Sequence, residues 1–276
     1  MNISAADVNK LRQMTGAGMM DCKKALSEAE GDFEKAVDIL RKKGQKIAAS
    51  RADRTSGEGA VFMKNNAQNT EATLIALNCE TDFVAKNEDF VKMGNAILEL
   101  AYTHKPANTD ALLALKHEGR AISEHLTDMM GKIGEKIEVS AYETLQGEKV
   151  VSYLHGAKIG VLVALKNIGG DAETAGKDVA MQVAAMRPLA LDKDGISKDL
   201  IDREIEIGKE QARAEGKPEA MLEKIAVGKL AKFYKDYTLL NQEFVKDNKL
   251  SIQQYLDSVN KGMTVSAFKR VGIGGA

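Results

Sequence analysis

The stretch "KVVSYLHGAKIGVLVALKN" at residues 149–167 contains two apolar runs of strand length, joined by a short turn that carries His155 and Gly156. Apolar runs separated by a turn of this kind predict a β-hairpin. The segment "DVAMQVAAM" at 178–186 follows with the apolar spacing of a helix. A hairpin that leads into a packed helix is typical of an α+β unit.

The same order of elements occurs about ninety residues earlier, which predicts a duplicated α+β core. "GAVFM" at 59–63 and "ATLIALN" at 72–78 predict strands, and "DFVKMGNAILELA" at 89–101 predicts the helix that follows them. Between the copies we expect a helix over about 110–131 and a short strand at 136–143. The last ten residues, "AFKRVGIGGA", are expected to add an edge strand.

Helical segments accompany this core. Three short helices are predicted near the N-terminus, the third ending at Gly44 after a run of cations, so that they form a separately stacked module. Two amphipathic helices separated by Gly216 and Pro218 predict an antiparallel arm. The predicted domains are 1–52 for the N-terminal module, 56–147 for the first core repeat, 148–190 for the second repeat (completed by 238–276), and 191–237 for the arm.

The composition is that of a soluble globular protein, with 44% hydrophobic and 29% charged residues among 276. A net charge of -1 gives no general attraction to nucleic acid or to an acidic membrane. The longest apolar runs are too short to span a membrane, and the N-terminus lacks the pattern of a signal peptide. Cys22 and Cys79 are isolated, which predicts reduced thiols in a cytoplasmic protein and no metal site.

Two glycine-containing segments resemble nucleotide-binding loops only in part. "GAG" at 16–18 joins two predicted helices instead of following a strand, so we interpret it as a turn. "GGDAETAGKD" at 169–178 lies between a strand and a helix, as a phosphate-binding loop would. Its glycines, Gly170 and Gly176, are one residue too far apart, and Asp178 replaces the hydroxyl that would hold magnesium. We therefore predict a polar loop, with nucleotide hydrolysis as the alternative.

A basic run between 41 and 54 is a candidate nucleic-acid site, because clustered cations can follow a phosphate backbone. No aromatic residue is interleaved to stack on bases, which favours a solvated helix end and linker. Binding to RNA or the ribosome remains the alternative function. The cations of this run are Arg41, Lys42, Lys43, Lys46, Arg51 and Arg54.

"NCETDFVAKN" at 78–87 places Asp82 beside Phe83 where an apolar strand should turn. Three interpretations stay open from these residues alone. Asp82 could act as a general acid or base, although no partner lies nearby in the sequence. Phe83 could fold back under the sheet, or it could be a wedge that enters another molecule, where burial of a Phe contributes roughly 2–3 kcal/mol.

Three segments of the chain together resemble signature segments of the bacterial translation elongation factor Ts family. They are "LRQMTGAGMMDCKKAL" at 11–26, "NCETDFVAKN" at 78–87 and "SYLHGAKIGVLV" at 152–163, in matching order and spacing. The resemblance extends over nearly the whole chain.

The resemblance implies a guanine-nucleotide exchange factor for elongation factor Tu that breaks no bond and uses no cofactor. It implies a ubiquitin-associated-like N-terminal module, an antiparallel coiled-coil arm through which a homodimer could form, and no nucleic acid or membrane partner. The residues that it assigns to the partner are Thr81, Asp82, Phe83, Val84 and Ala85 beside the magnesium and GDP, His155, Gly156 and Ile159 as a second contact, and Met19, Met20, Asp21, Lys23 and Lys24 in the N-terminal module.

Overall fold

The computed structural model describes residues 3–275 as a mixture of helices and small sheets, which confirms the α+β class. The chain forms two compact units. The first comprises Met1–Phe62, Leu74–Tyr142 and Gly272–Ala276, and the second comprises Met63–Thr73 and Glu143–Val271. Within the described residues, no helix combines the length and the apolar character that a membrane span requires.

The first half of the chain contains seven helices and five strands, in the following order within the described residues. They are α1 (Ala5–Thr15), α2 (Met19–Glu28), α3 (Phe33–Arg51), β1 (Glu58–Asn65), β2 (Glu71–Cys79), α4 (Asp82–Ala85), α5 (Glu88–His104), α6 (Thr109–Ala114), β3 (Lys116–His117), β4 (Arg120–Ala121), α7 (Ile122–Ile133) and β5 (Glu138–Gln146).

The three predicted N-terminal helices are present, and a capping box of Ser4 and Asp7 begins the first of them. The prediction that the third helix ends at Gly44 was wrong, because α3 continues to Arg51. Gly44 is the point at which α3 crosses α7. A Cβ on the facing Gly131 would lie only 2.7 Å from the Gly44 Cα, so the two backbones approach more closely than any side chain allows.

The sheet of the first unit has the strand order β1-β2-β5. Its apolar side chains pack with those of α5 and α7 around Phe90, Ile97 and Leu126. The continuous helix expected over 110–131 was wrong, because the hairpin of β3 and β4 interrupts it. Glu118 and Gly119 have positive φ values of 49° and 82°, which suits the two-residue turn of a tight hairpin.

The second half of the chain contains the remaining α-helices and strands of the described residues. They are β6 (Lys149–His155), β7 (Ile159–Lys166), α8 (Ala172–Met186), α9 (Lys198–Ala214), α10 (Glu219–Tyr237), β8 (Glu243–Phe244), β9 (Asp247–Ser251), α11 (Ile252–Val259) and β10 (Thr264–Gly272).

The predicted hairpin is confirmed as β6 and β7, with His155 paired to Ile159. β10 pairs with β7 at the edge of the sheet, as expected for the C-terminal segment. The polar loop predicted at 169–178 is shorter than expected, because α8 begins at Ala172. Asp171 caps this helix by accepting a hydrogen bond from the Thr174 N–H at 3.1 Å.

The order of elements recurs along the chain. A hairpin, a helix, a small hairpin, a helix and a third strand appear first as β1-β2, α5, β3-β4, α7 and β5, with the short α4 and α6 added. They appear again as β6-β7, α8, β8-β9, α11 and β10. In both sheets the third strand pairs with the second strand of the hairpin. The second series differs by the insertion of α9 and α10 after α8.

α9 and α10 form an antiparallel helical hairpin. Gly208 of α9 packs against Ala226 of α10, and Lys209 Nζ lies 2.7 Å from a Glu223 carboxylate oxygen. The two ends of this insertion are adjacent, since the Leu189 N–H donates to the Tyr237 carbonyl at 2.8 Å.

Candidate functional site

The turn that follows β2 carries the residues singled out between Thr81 and Ala85, and it is called the α4 turn here. Thr81 is its N-cap, with φ -125° and ψ 155°, and its Oγ1 accepts a hydrogen bond from the Val84 N–H at 3.5 Å. The Lys86 N–H donates to the Asp82 carbonyl at 3.2 Å and closes the single helical turn. The strand therefore ends in one capped turn of helix.

The α4 turn directs its apolar side chains in opposite directions. Val84 is 9% exposed and belongs to the core of the first unit, and Ala85 packs against that core. Phe83 is 83% exposed, more than Met20 at 76%. The alternative in which Phe83 folds back under the sheet is therefore wrong. Most of the apolar surface of Phe83 is therefore available for contact with another molecule.

Asp82 lies beside Phe83 and forms an ion pair with Lys86, whose Nζ is 2.7 Å from the Asp82 Oδ2. The hydrogen bond and the charge of Asp82 raise the pKa of Lys86. Both side chains are more than half exposed, so solvent screens the pair and it adds little to stability. The pair places a carboxylate and an ammonium group at the surface beside Phe83.

Two carboxylates hold the chain where the α4 turn begins, and neither was singled out in the sequence analysis. Glu135 accepts two hydrogen bonds from Thr81, from its N–H at 3.0 Å and from its hydroxyl at 2.8 Å. Glu80 accepts the Lys136 N–H at 2.8 Å and pairs with Arg54 at 3.1 Å. Burial alone would raise the pKa of Glu80, but the Lys136 N–H and the Arg54 guanidinium outweigh it, so this pKa lies below its usual value.

Cys79, the last residue of β2, forms a third hydrogen bond with Thr81. Its Sγ donates to the Thr81 carbonyl at 3.1 Å. Burial, followed by the charge of Glu135, raises the pKa of the Cys79 thiol to about 12. Cys22 is also buried, and both thiols are free, as predicted. Because the thiolate is the reactive form, Cys79 serves packing and hydrogen bonding instead of chemistry.

The second predicted contact, at the turn between β6 and β7, belongs to the second unit. His155 and Gly156 are exposed, and Ile159 is partly buried against the apolar cluster of that unit. The His155 Nδ1 lies 2.9 Å from the Tyr153 hydroxyl, which orients the ring. Gly156 has a φ of 58°, and a Cβ there would meet open space. The turn thus presents an imidazole and a bare stretch of backbone.

Four of the five residues predicted in the N-terminal module lie on the exposed face of α2. Met19, Met20, Lys23 and Lys24 are exposed, while the helix buries Cys22 and its later apolar residues. Asp21 is partly buried and forms an ion pair with Lys43 of α3. The exposed face of α2 therefore combines two methionine side chains with two lysine cations.

The basic run of the N-terminal region is partly engaged within the chain. Lys43 is paired with Asp21, and both Arg51 and Arg54 are paired with Glu80. A cation in such a pair is less available to a phosphate backbone.

The glycine-containing segment before α8 is packed against α11. A Cβ on Gly170 would lie 2.7 Å from the Val259 carbonyl oxygen, so the loop backbone is closely covered. Asp178 binds Lys246 Nζ at 2.6 Å and the Tyr255 hydroxyl at 2.7 Å. These contacts give Asp178 a structural role. Because the backbone at Gly170 is covered by α11, the loop does not have the open backbone of a phosphate-binding loop.

Comparison with known proteins places both turns in a matched region. A family model described as "Elongation factor TS" matches residues 80–275. The chain is 60% identical over 274 residues to elongation factor Ts of Cytophaga hutchinsonii, covering 98% of this chain and 99% of the relative. Elongation factor Ts of Amoebophilus asiaticus is 55% identical over 276 residues, covering 99% and 100%. That of Christiangramia forsetii is 53% identical over 273 residues, covering 99% of each. The chain therefore belongs to the elongation factor Ts family of translation elongation factors.

Proposed function

We propose that this chain is a guanine-nucleotide exchange factor, which binds elongation factor Tu and promotes the release of GDP together with magnesium. It acts by differential binding to two states of its partner, without breaking a bond and without a cofactor. The observation that carries the proposal is the exposure of Phe83 on a turn whose first residue, Thr81, is held by a hydrogen bond to Glu135.

In this mechanism the α4 turn is a wedge. Phe83 enters the partner beside the nucleotide, and Asp82 brings a carboxylate that competes for the surroundings of the magnesium. Because Phe83 is 83% exposed in the free chain, nearly all of its burial free energy, roughly 2–3 kcal/mol, is available on binding. Thr81, Val84 and Ala85 shape the turn.

One side chain is not enough for the whole effect. A thousandfold loss of GDP affinity requires about 4 kcal/mol. Further contacts must therefore favour the nucleotide-free state, and we assign them to His155, Gly156 and Ile159 at the β6–β7 turn and to the exposed face of α2. Coupling is reciprocal, so GDP weakens the binding of the exchange factor by the same factor.

The helical parts of the chain have corresponding roles in the proposal. The three N-terminal helices form a ubiquitin-associated-like module that docks on the GTPase domain of the partner, through Met19, Met20, Asp21, Lys23 and Lys24. The hairpin of α9 and α10 is the antiparallel coiled-coil arm.

The test is stopped-flow release of fluorescent GDP from elongation factor Tu, at saturating concentrations of the chain. We expect the intact chain to accelerate release. Loss of about 2 kcal/mol predicts that Phe83→Ala reduces the accelerated rate roughly 30-fold. Phe83→Ala/Asp82→Ala should lose still more while retaining binding to nucleotide-free elongation factor Tu.

Val245→Ala is the matched control, because Val245 is also an exposed apolar residue, at 53%, and belongs to the second unit. With this variant, GDP should leave elongation factor Tu as fast as it does with the intact chain. An intact chain that leaves the release rate unchanged would refute the proposal. Binding of RNA by the chain, weakening steeply as salt rises, would then favour the alternative at the basic run.

A further inference from the structure

Two carboxylates extend the pairing of β2 with β5 beyond the end of the backbone ladder. Glu80 follows β2 and accepts the N–H of Lys136, at 2.8 Å. Glu135 precedes β5 and accepts the N–H of Thr81, at 3.0 Å. Each segment thus lends a side-chain carboxylate to a backbone donor of the other, where an ordinary ladder would use a carbonyl oxygen.

Glu135 is the member of this reciprocal pair that contacts the α4 turn. One carboxylate oxygen binds the Thr81 N–H and the other binds the Thr81 hydroxyl, at 2.8 Å. The two bonds fix both the backbone and the side-chain rotamer of the N-cap residue. With its proton directed to Glu135, the Thr81 Oγ1 presents a lone pair to the Val84 N–H.

The α4 turn depends on this support because it is too short to be stable by itself. One helical turn fixes several backbone dihedrals for very few hydrogen bonds, so isolated turns of this length do not persist in water. Phe83 lies only two residues beyond Thr81 and is 83% exposed. Its own side chain therefore contributes little packing that would fix its direction.

The placement of Glu135 follows from the end of α7. Gly134 adopts the left-handed conformation, with φ 82° and ψ 13°, and donates its N–H to the Met130 carbonyl. This cap turns the chain sharply between the last residue of α7 and Glu135. The carboxylate then meets Thr81 although the two residues are 54 positions apart.

We propose that Glu135 is a positioning residue for exchange, which holds Thr81 and thereby presets the direction in which Phe83 enters the partner. The proposal rests on the function proposed above for the α4 turn. Glu135 itself need not touch elongation factor Tu or the nucleotide.

The experiment compares Glu135→Ala with Glu135→Gln in the full chain. The glutamine amide can accept from the Thr81 N–H and, with the Thr81 hydroxyl proton rotated away, donate to the Thr81 Oγ1. The second lone pair of that oxygen still accepts from the Val84 N–H, so both contacts are retained, whereas alanine removes them. Hydrogen exchange of the Ala85 and Lys86 amides in the free chain reports the order of the turn, because these amides close it. GDP release from elongation factor Tu is measured over a range of factor concentrations.

We expect Glu135→Ala to speed hydrogen exchange at both amides and to lower the saturating release rate about tenfold. The factor concentration at half-saturation should change less than twofold, because the other contacts remain. Glu135→Gln should behave like the intact chain in both assays. As a control, Glu124→Ala removes an exposed ion-paired carboxylate of α7 and should change neither.

Wild-type release rates in Glu135→Ala would overturn the inference, whether or not hydrogen exchange increases. Equal losses in Glu135→Gln and Glu135→Ala would also overturn it, because charge and not hydrogen-bond geometry would then be responsible. If the intact chain does not accelerate GDP release, the proposed function fails and the role in exchange fails with it. The hydrogen-exchange comparison still shows in that case whether Glu135 orders the turn.

Discussion

Gly44 and Gly131 face each other where α3 crosses α7, and we expect them to differ in their tolerance of a methyl group. A Cβ on Gly131 would lie 2.7 Å from the Gly44 Cα, and a backbone atom cannot move aside cheaply. A Cβ on Gly44 would meet the Thr127 carbonyl oxygen at 3.4 Å and the Gly131 Cα at 3.6 Å, which are ordinary contacts. The same substitution on two sides of one crossing should therefore have opposite effects.

The magnitudes follow from two opposing contributions. Replacing Gly by Ala inside a helix stabilises it by about 1 kcal/mol. Overpacking a close contact costs about 1–3 kcal/mol. Gly44→Ala should thus raise the free energy of unfolding of α3 by up to ~1 kcal/mol. Gly131→Ala should lower it by roughly 0.5–2 kcal/mol, because the overpacking exceeds the helix propensity gained near the end of α7.

Native-state hydrogen exchange of the α3 and α7 amides measures these free energies locally, which avoids assuming that the two units unfold together. Slower exchange in Gly44→Ala and faster exchange in Gly131→Ala are expected. If both variants shift in the same direction, or if Gly131→Ala is as stable as the parent, the close crossing does not have the geometry described.

Three further predictions concern titratable groups. Cys79 should resist a thiol reagent at pH 8 in the folded chain and react at once in denaturant, because its pKa is raised to about 12. The pKa of Glu80 is lowered in the folded chain, so its contribution to stability is present above the ordinary pKa of 4.5 and is lost as the pH falls through the folded pKa. Glu80→Gln should therefore unfold at a lower urea concentration than the parent at pH 7, and the two unfolding midpoints should converge in acid. Burial, followed by the hydrogen bond to Asp178, raises the pKa of Tyr255, so stability should fall as the pH rises above about 10, and Tyr255→Phe should remove this part of the alkaline loss.

The elements that local pattern determines were predictable from the sequence. The β6–β7 hairpin and α5 were found because their apolar spacing matches one secondary structure over many residues. The sequence alone did not decide whether Phe83 is exposed or buried, because burial depends on the direction in which a short turn faces.

The remaining features depend on partners that are distant in sequence. Gly44 has the local signature of a helix stop, and only the approach of Gly131 from α7 shows it to be a crossing. Thr81 and Glu135 are joined only by the fold, and no spacing rule connects them. The β3–β4 hairpin was missed because its turn uses Glu118 at positive φ, a weaker signal than Asn or Asp before Gly.

The insertion of α9 and α10 leaves and rejoins the second unit at neighbouring positions. Leu189 and Ala190 bond to Tyr237 and Leu239 across the base of the hairpin. The entropy cost of holding the two ends of such a segment together grows only slowly with its length. Changes in the length of this hairpin should therefore leave the packing of α8, α11 and the sheet intact. For the same reason, another helical hairpin can be grafted at this position.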